Sequence, residues 1–141
     1  MGEPIYFVRH GQTAWNAERR LQGQAESDLT ATGRAQARAN GETLARLIRD
    51  PRRFAFLASP LRRTRETMEI IRGAMGLAAD GYLIEPGLIE VHFGDWQGWT
   101  LAELETARTG ATAERETDKW NFLPPGDGAE SYAMLQARIS G

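Results

Sequence analysis

Short apolar runs without polar alternation, each ending at a polar or glycine-bearing corner, mark the first half of the chain. Ile5-Tyr6-Phe7-Val8 is the first, rich in β-formers and stopped by Arg9-His10-Gly11. A run of this kind predicts a strand buried on both faces, as in a parallel sheet. Residues 11–29 carry no clean period and hold Gly11, Asn16, Gly23 and Asp28, which predicts mostly loop with room for one helical turn. Thr30 or Thr32 can cap a helix reaching about Arg49, with Ala37, Gly41, Leu44 and Ile48 on one face and Asp50-Pro51 as its stop. Phe54–Ser59 predicts a second buried strand, and Pro60 suits the first turn of the next helix. That helix carries Thr64, Thr67, Ile71 and Met75 on one face and ends near Gly73 or Gly76. Tyr82-Leu83-Ile84 predicts a short third strand, and Leu101 and Leu104 a short helix capped by Thr100. Pro124–Gly128 predicts a turn, and a last helix begins near Glu130 or Ser131.

Strand, helix, strand, helix, strand predicts an α/β fold, a three-layer doubly wound, mostly parallel sheet flanked by helices, with right-handed crossovers. No repeat, low-complexity segment or linker divides it, so residues 1–141 predict one domain. The last helix has barely begun at Ser140-Gly141. The expectation is a domain truncated at its C-terminus, with one or more sheet strands outside these residues.

Composition narrows the chemistry. The chain has 141 residues, 41% hydrophobic and 26% charged, enough to bury a core without disulfides or a structural metal. The absence of cysteine excludes thiol catalysis, cysteine-ligated zinc and disulfides, and leaves a cytoplasmic location as the default. The apolar run near Met1 is too short for a signal peptide or a membrane span, and Tyr6 stands where a myristoylation motif beginning at Gly2 wants Ser or Thr. A net charge of −2 offers no basic field for nucleic acid. All basic residues but Lys119 are arginines, and arginine binds phosphate bidentately. Trp15, Trp96, Trp99 and Trp120 are too scattered for a base-stacking platform and predict core or pocket wall. No phosphate-loop or dinucleotide fingerprint is present; Gly126-Asp127-Gly128 is a turn.

Ligands of open α/β sheets bind at the carboxyl ends of strands. Two such ends are loaded here, Arg9-His10-Gly11 after the first strand and Ser59-Pro60-Leu61-Arg62-Arg63 after the second. If those strands are neighbours, Arg9, His10 and Arg63 converge beside a helix N-terminus, an arrangement suited to phosphate. Neighbouring cations disfavour imidazolium and keep His10 neutral and nucleophilic near pH 7. In-line attack would give phosphohistidine, which water hydrolyses, with the arginines stabilising the equatorial oxygens. Alone, Arg9-His10-Gly11 is no more than a charged loop start with a turn glycine.

The wider series is more specific. Arg9-His10-Gly11-Gln12-Thr13 with Asn16, Leu21-Gln22-Gly23, Asp28-Leu29-Thr30 with Gly33, and Ser59-Pro60-Leu61 with Arg63 and Thr67 resemble the histidine phosphatase (phosphoglycerate-mutase-like) superfamily in identity, order and spacing. Leu88, Glu90, Gly94, Trp96 and Gly98, then Pro125-Gly126 with Glu130-Ser131, continue the likeness along essentially the whole chain. The resemblance implies His10 as nucleophile, Arg9 and Arg63 as phosphate ligands, Arg62 as a solvated neighbour and Glu90 as general acid. Asn16, Gln22 and Gly23 line the pocket in this reading, and no metal or other cofactor is implied. Protonating the departing oxygen is worth about 10²–10⁴-fold, so Glu90 must carry a proton when the ester binds. Thr64 and Met68 replace the family's usual alanines, which reads as packing variation. The family's second catalytic histidine, in a later strand-end His-Gly motif, is not among the 141 residues. His92, two residues from Glu90, is expected near the acid and partly exposed, and not as a substitute.

The leading functional expectation is a phosphomonoesterase acting on a small phosphorylated metabolite, without nucleic acid or membrane as partner and with a homodimer left open. A phosphoglycerate mutase needs the same His10 chemistry, but Trp99-Thr100-Leu101-Ala102-Glu103-Leu104 replaces the mutases' Gly-Leu-Asn-Lys-like stretch. A catalytically dead phospho-ligand-binding protein is the third reading, were Gly141 the native end.

Overall fold

Local capping sets most of the helix boundaries. The computed structural model describes Gly2 and residues 4–141. The N-terminal reading on signal peptide and span therefore includes Met1 and Glu3, which lie outside the described residues. Thr13 and Asn16 form a reciprocal capping box around the single turn α1 (Ala14–Ala17). Thr30 Oγ1 accepts the Gly33 N–H and starts α2 (Ala31–Leu47), whose buried face is Gly33, Ala37, Gly41 and Leu44. Asp50 and Pro51 then turn the chain into a short 3₁₀ segment. β1 (Leu57–Ala58) leads into α3 (Arg62–Ala74), which buries Arg63, Thr67, Ile71 and Arg72. Its N-cap is Leu61, so Pro60 precedes the helix and does not occupy its first turn.

β2 (Leu83–Ile84) pairs parallel with β1, Leu57 opposite Leu83 and Ala58 opposite Ile84. Thr100 and Glu103 form a second capping box at α4 (Leu101–Ala107). α5 (Ala111–Thr117) follows Gly110, whose φ is 88°, and α6 (Tyr132–Ile139) starts at the Ser131 side-chain cap.

Two apolar clusters hold these pieces. Leu44 and Ile48 of the α2 end meet Ile71 of α3, with Phe54 and Met75 against them. Trp96, Leu104 and Ala111 form the other, flanked by Leu21, Phe93 and Phe122. Burying one such aliphatic side chain contributes about 1.5–3 kcal/mol, so each cluster fixes its elements firmly.

Helices around a parallel pair of strands make this an α/β fold, but its sheet is less complete than the apolar runs predict. Ile5–Val8 joins no ladder among the described residues, and Ile5 and Phe7 are 78% and 90% exposed. A parallel strand needs hydrogen-bonding neighbours and cover on both faces; the described residues supply neither here. Leu57 and Leu83 are also exposed, so only Ala58 and Ser59 of the second run are buried as predicted. Of the tryptophans, Trp96 is core, whereas Trp99 and Trp120 are exposed.

Candidate active site

His10 sits where the N-terminal segment meets α2 and α3. The Gly11 N–H donates to Thr67 Oγ1 at 3.1 Å, and Thr67 donates to the Arg63 carbonyl one turn earlier. A single buried hydroxyl thus ties the His10 corner to the helix that carries Arg63. On the other side the corner lies on the α2 N-terminus so closely that a Cβ on Gly11 would come within 2.2 Å of the Gly33 carbonyl oxygen. One on Gly33 would come within 2.1 Å of that of Gln12. Only two glycines allow this backbone approach.

The tautomer of His10 follows from its contact. Nδ1 lies 2.7 Å from the Gly11 carbonyl oxygen, which can only accept, so Nδ1 carries the proton and Nε2 keeps its lone pair. Burial is the largest influence on the ring and lowers its pKa below the ordinary imidazole value. The Gly11 carbonyl opposes that shift; Arg63 and Arg9 add to it, and Glu90 works against them. The expected neutral imidazole therefore arises chiefly from desolvation, with the arginines second.

Arg63 is 2% exposed. Its Nη1 donates to the Ala25 carbonyl at 2.7 Å and Nη2 to the Gly23 carbonyl at 2.5 Å. Its buried Nε–H has no partner among the described residues. An unmatched buried donor costs about 1–3 kcal/mol, so a donor left this way marks a place for an acceptor. Burial pulls the guanidinium below its ordinary pKa, opposed by Glu26 and Glu90. Arg62 points elsewhere: it is two-thirds exposed and pairs with Asp28 at 2.6 Å.

The loop after α1 closes the site. Gln22 is buried and its Oε1 accepts the Thr13 hydroxyl at 2.6 Å. Gly23 has φ of 55°, and a Cβ there would meet Gln97 Oε1 at 2.5 Å and the Val91 carbonyl at 2.9 Å. Its carbonyl is thereby free to reach Arg63. Asn16 Oδ1 is committed to the Thr13 N–H. The loop is held by the 97–100 segment, through Gly98 N–H to the Leu21 carbonyl at 2.8 Å and Leu21 N–H to the Trp99 carbonyl at 2.9 Å.

All seven residues singled out from sequence, Arg9, His10, Asn16, Gln22, Gly23, Arg63 and Glu90, border one cavity of about 220 Å³. Arg20, Leu21, Val91, Phe93 and Tyr132 border it too and were not foreseen. Their signal was adjacency, since each lies within three residues of Gln22, Glu90 or Ser131. Arg9, His10 and Asn16 also border a wider cavity of about 620 Å³ that runs along α2 past Gln36 and Asn40.

Glu90 is an exposed side chain at the cavity wall, its Oε1 accepting the Val91 N–H at 2.8 Å. His92 lies outside the cavity lining, partly exposed, with Nδ1 accepting the Gly94 N–H at 2.9 Å. No group of three or more His, Asp or Glu side chains is placed to hold a metal ion among the described residues. Nor is any helix among them long and apolar enough to cross a membrane.

Comparison with known proteins gives concordant matches. Residues 5–141 match the histidine phosphatase superfamily (branch 1). A glucosyl-3-phosphoglycerate phosphatase of Mycolicibacterium vanbaalenii is 39% identical over 117 residues, covering 82% of this chain and 49% of that protein. A probable phosphoglycerate mutase GpmB of Photorhabdus laumondii is 42% identical over 90 residues, covering 64% of this chain and 39% of that one. Among solved structures, a mycobacterial glucosyl-3-phosphoglycerate phosphatase in complex with VO3 superposes with a TM-score of 0.76 at 35% identity, covering 92% of this chain and 60% of the other. The chain spans about half the length of the curated relatives it matches.

Proposed function

The chain belongs to the histidine phosphatase superfamily, and on that premise we propose that its polypeptide hydrolyses phosphomonoesters of a small phosphorylated metabolite through a phosphohistidine on His10. The observation that carries this reading is the pairing of two features on one cavity wall. A histidine has Nδ1 fixed on its own corner, so Nε2 is the nitrogen available to a phosphorus atom. Beside it, a buried arginine Nε–H lacks an acceptor that a phosphoryl oxygen would supply.

In this reading His10 Nε2 attacks phosphorus in line with the departing alkoxide. The P–N bond forms as the P–O bond breaks, and Glu90 gives its proton to the leaving oxygen. Water then attacks the phosphohistidine, the P–N bond breaks to leave neutral His10 and H2PO4⁻, and Glu90 regains its proton from solvent. Arg63 Nε–H and Arg9 stabilise the equatorial oxygens, with Asn16 and Gln22 presenting amides to them. Gly23 acts through its carbonyl, which fixes the guanidinium of Arg63.

A mutase would use the same first step and return the phosphoryl group to the bound product. The match to a probable phosphoglycerate mutase supports that second reading. Phosphatase and mutase-like relatives both match along most of the chain, so it is the Trp99–Leu104 sequence that favours hydrolysis.

The direct test is turnover of p-nitrophenyl phosphate by the whole polypeptide that carries this chain, with vanadate as competitor. His10→Ala should abolish turnover while leaving the fold intact. Near wild-type rates in that variant would remove His10 as nucleophile. Phosphate binding without any turnover in the unaltered protein would favour the phospho-ligand-binding reading.

A further inference from the structure

Glu90 sits on a segment with no regular secondary structure, in a stretch of chain that no ladder holds. Something else must fix its backbone, because a general acid works only when its proton lies within hydrogen-bond reach of the departing oxygen. The carbonyls around it converge on one side chain. Arg138, on the last turn of α6, donates from Nη2 to the Ile89 carbonyl at 2.6 Å and to the Glu90 carbonyl at 3.1 Å. Its Nη1 donates to the Gly87 carbonyl at 2.9 Å.

Arg138 is itself aimed by Glu130. Glu130 Oε1 accepts from Arg138 Nε at 2.7 Å, and Oε2 from Nη2 at 3.3 Å. The Glu130 carboxylate also accepts the His92 N–H at 3.1 Å, and the Glu130 N–H donates to the His92 carbonyl at 2.8 Å. The pair is well shielded, with side chains 25% and 15% exposed. A planar guanidinium with five fixed donors suits this task in a way an ammonium does not. The Gln24 amide, 3.0 Å from the Glu90 carbonyl, is the one further side chain on that oxygen among the described residues.

We infer that Arg138 and Glu130 are positioning residues for the general acid: they clamp the backbone on both sides of Glu90 and so set where its carboxyl meets the leaving oxygen. This rests on Glu90 acting as the leaving-group acid. It adds that the eight-residue α6, which lends only Tyr132 to the cavity wall, governs the acid step from its far end.

The test compares p-nitrophenyl phosphate, whose phenolate leaves unaided, with the fastest-hydrolysed of glycerol 3-phosphate, 3-phosphoglycerate and glucose 6-phosphate. It uses the whole polypeptide, with thermal unfolding of each variant as the fold control. Glu90→Gln should slow the alkyl ester by about 10²–10⁴-fold and spare the nitrophenyl ester. Arg138→Met should slow the alkyl ester by about 10–100-fold, the scale of a misplacement near 1 Å, and the nitrophenyl ester by less than about threefold. Arg138→Lys should fall between Arg138→Met and wild type. In the Glu90→Gln background Arg138→Met should add no further loss, because the proton it positions is gone.

Equal losses on both esters, or losses that multiply in the double variant, would overturn the inference and leave Arg138 a structural residue. Absence of the ester split in Glu90→Gln would instead overturn the acid assignment, and this inference with it. Should Arg138→Met unfold, Glu130→Gln keeps the shape while removing the charge that aims Arg138. It should show the same split at about 3–10-fold, and equal losses there would count against the clamp.

Discussion

At His10 the Gly11 carbonyl and the burial of the ring pull in opposite directions. The carbonyl holds a proton on Nδ1, which the neutral ring already carries. Burial penalises only the second proton, on Nε2, and it is the larger influence. The folded protein therefore takes up that proton at a lower pH than the unfolded chain, whose imidazole titrates near about 6.5. The stability linked to this group is complete above about pH 6.5 and is lost as pH falls toward the folded value. Titration of the His10 ring by NMR, assigned against a His10→Asn variant, should give a midpoint below about 6.5. A midpoint at or above that value would mean that the ring is more solvated, or more strongly paired with Glu90, than the structure shows.

Among the elements, α3 bears most directly on the site, because it carries Arg63 and, one turn on, the hydroxyl that holds Gly11. Thr67→Val keeps the shape and strands the buried Gly11 N–H, which should cost about 1–3 kcal/mol of unfolding free energy. It should also lower turnover, because His10 is no longer pinned to the helix of Arg63. Thr67→Ser retains the hydroxyl and should stay near wild type in both. Denaturant unfolding and steady-state rates check this; a wild-type-like Thr67→Val would mean that Gly11 finds another acceptor.

The same elements show what the linear pattern could reveal. Thr100, Thr30 or Thr32, and Glu130 or Ser131 are readable as helix starts because a cap is settled by four consecutive residues, and the structure selects Thr30 and Ser131 from the two pairs. The buried face of α2 followed from its period for the same local reason. Ile5–Val8 was not, since an apolar run reports what a strand wants and not what covers it. α5 lacks an apolar stripe and enters through the left-handed Gly110, so no period announced it. The seven candidate site residues were legible through their series. The orphaned Arg63 Nε, the relay through Thr67 and the Arg138 clamp depend on contacts between distant segments, which no spacing encodes.

At the scale of the whole molecule, five separate segments meet at one cavity: the residues around His10, the loop around Gln22, the first turn of α3, the stretch around Glu90 and the start of α6. None of these would form a site alone. In the proposed reading Arg9, His10 and Arg63 take the phosphoryl group, and Glu90, Phe93 and Tyr132, which border the same cavity, are where substrate selection is expected. Hydrolysis and mutase transfer diverge only after the first P–N bond has formed, so the covalent step is common to both readings. The decisive measurement is rapid quenching into alkali, which preserves phosphohistidine, during turnover of a ³²P-labelled phosphomonoester by the whole polypeptide, followed by peptide mapping. Label on the His10 ring, appearing and decaying fast enough to account for turnover and absent in His10→Ala, is the predicted result. Turnover with no label on His10, or with label on another residue, would contradict it.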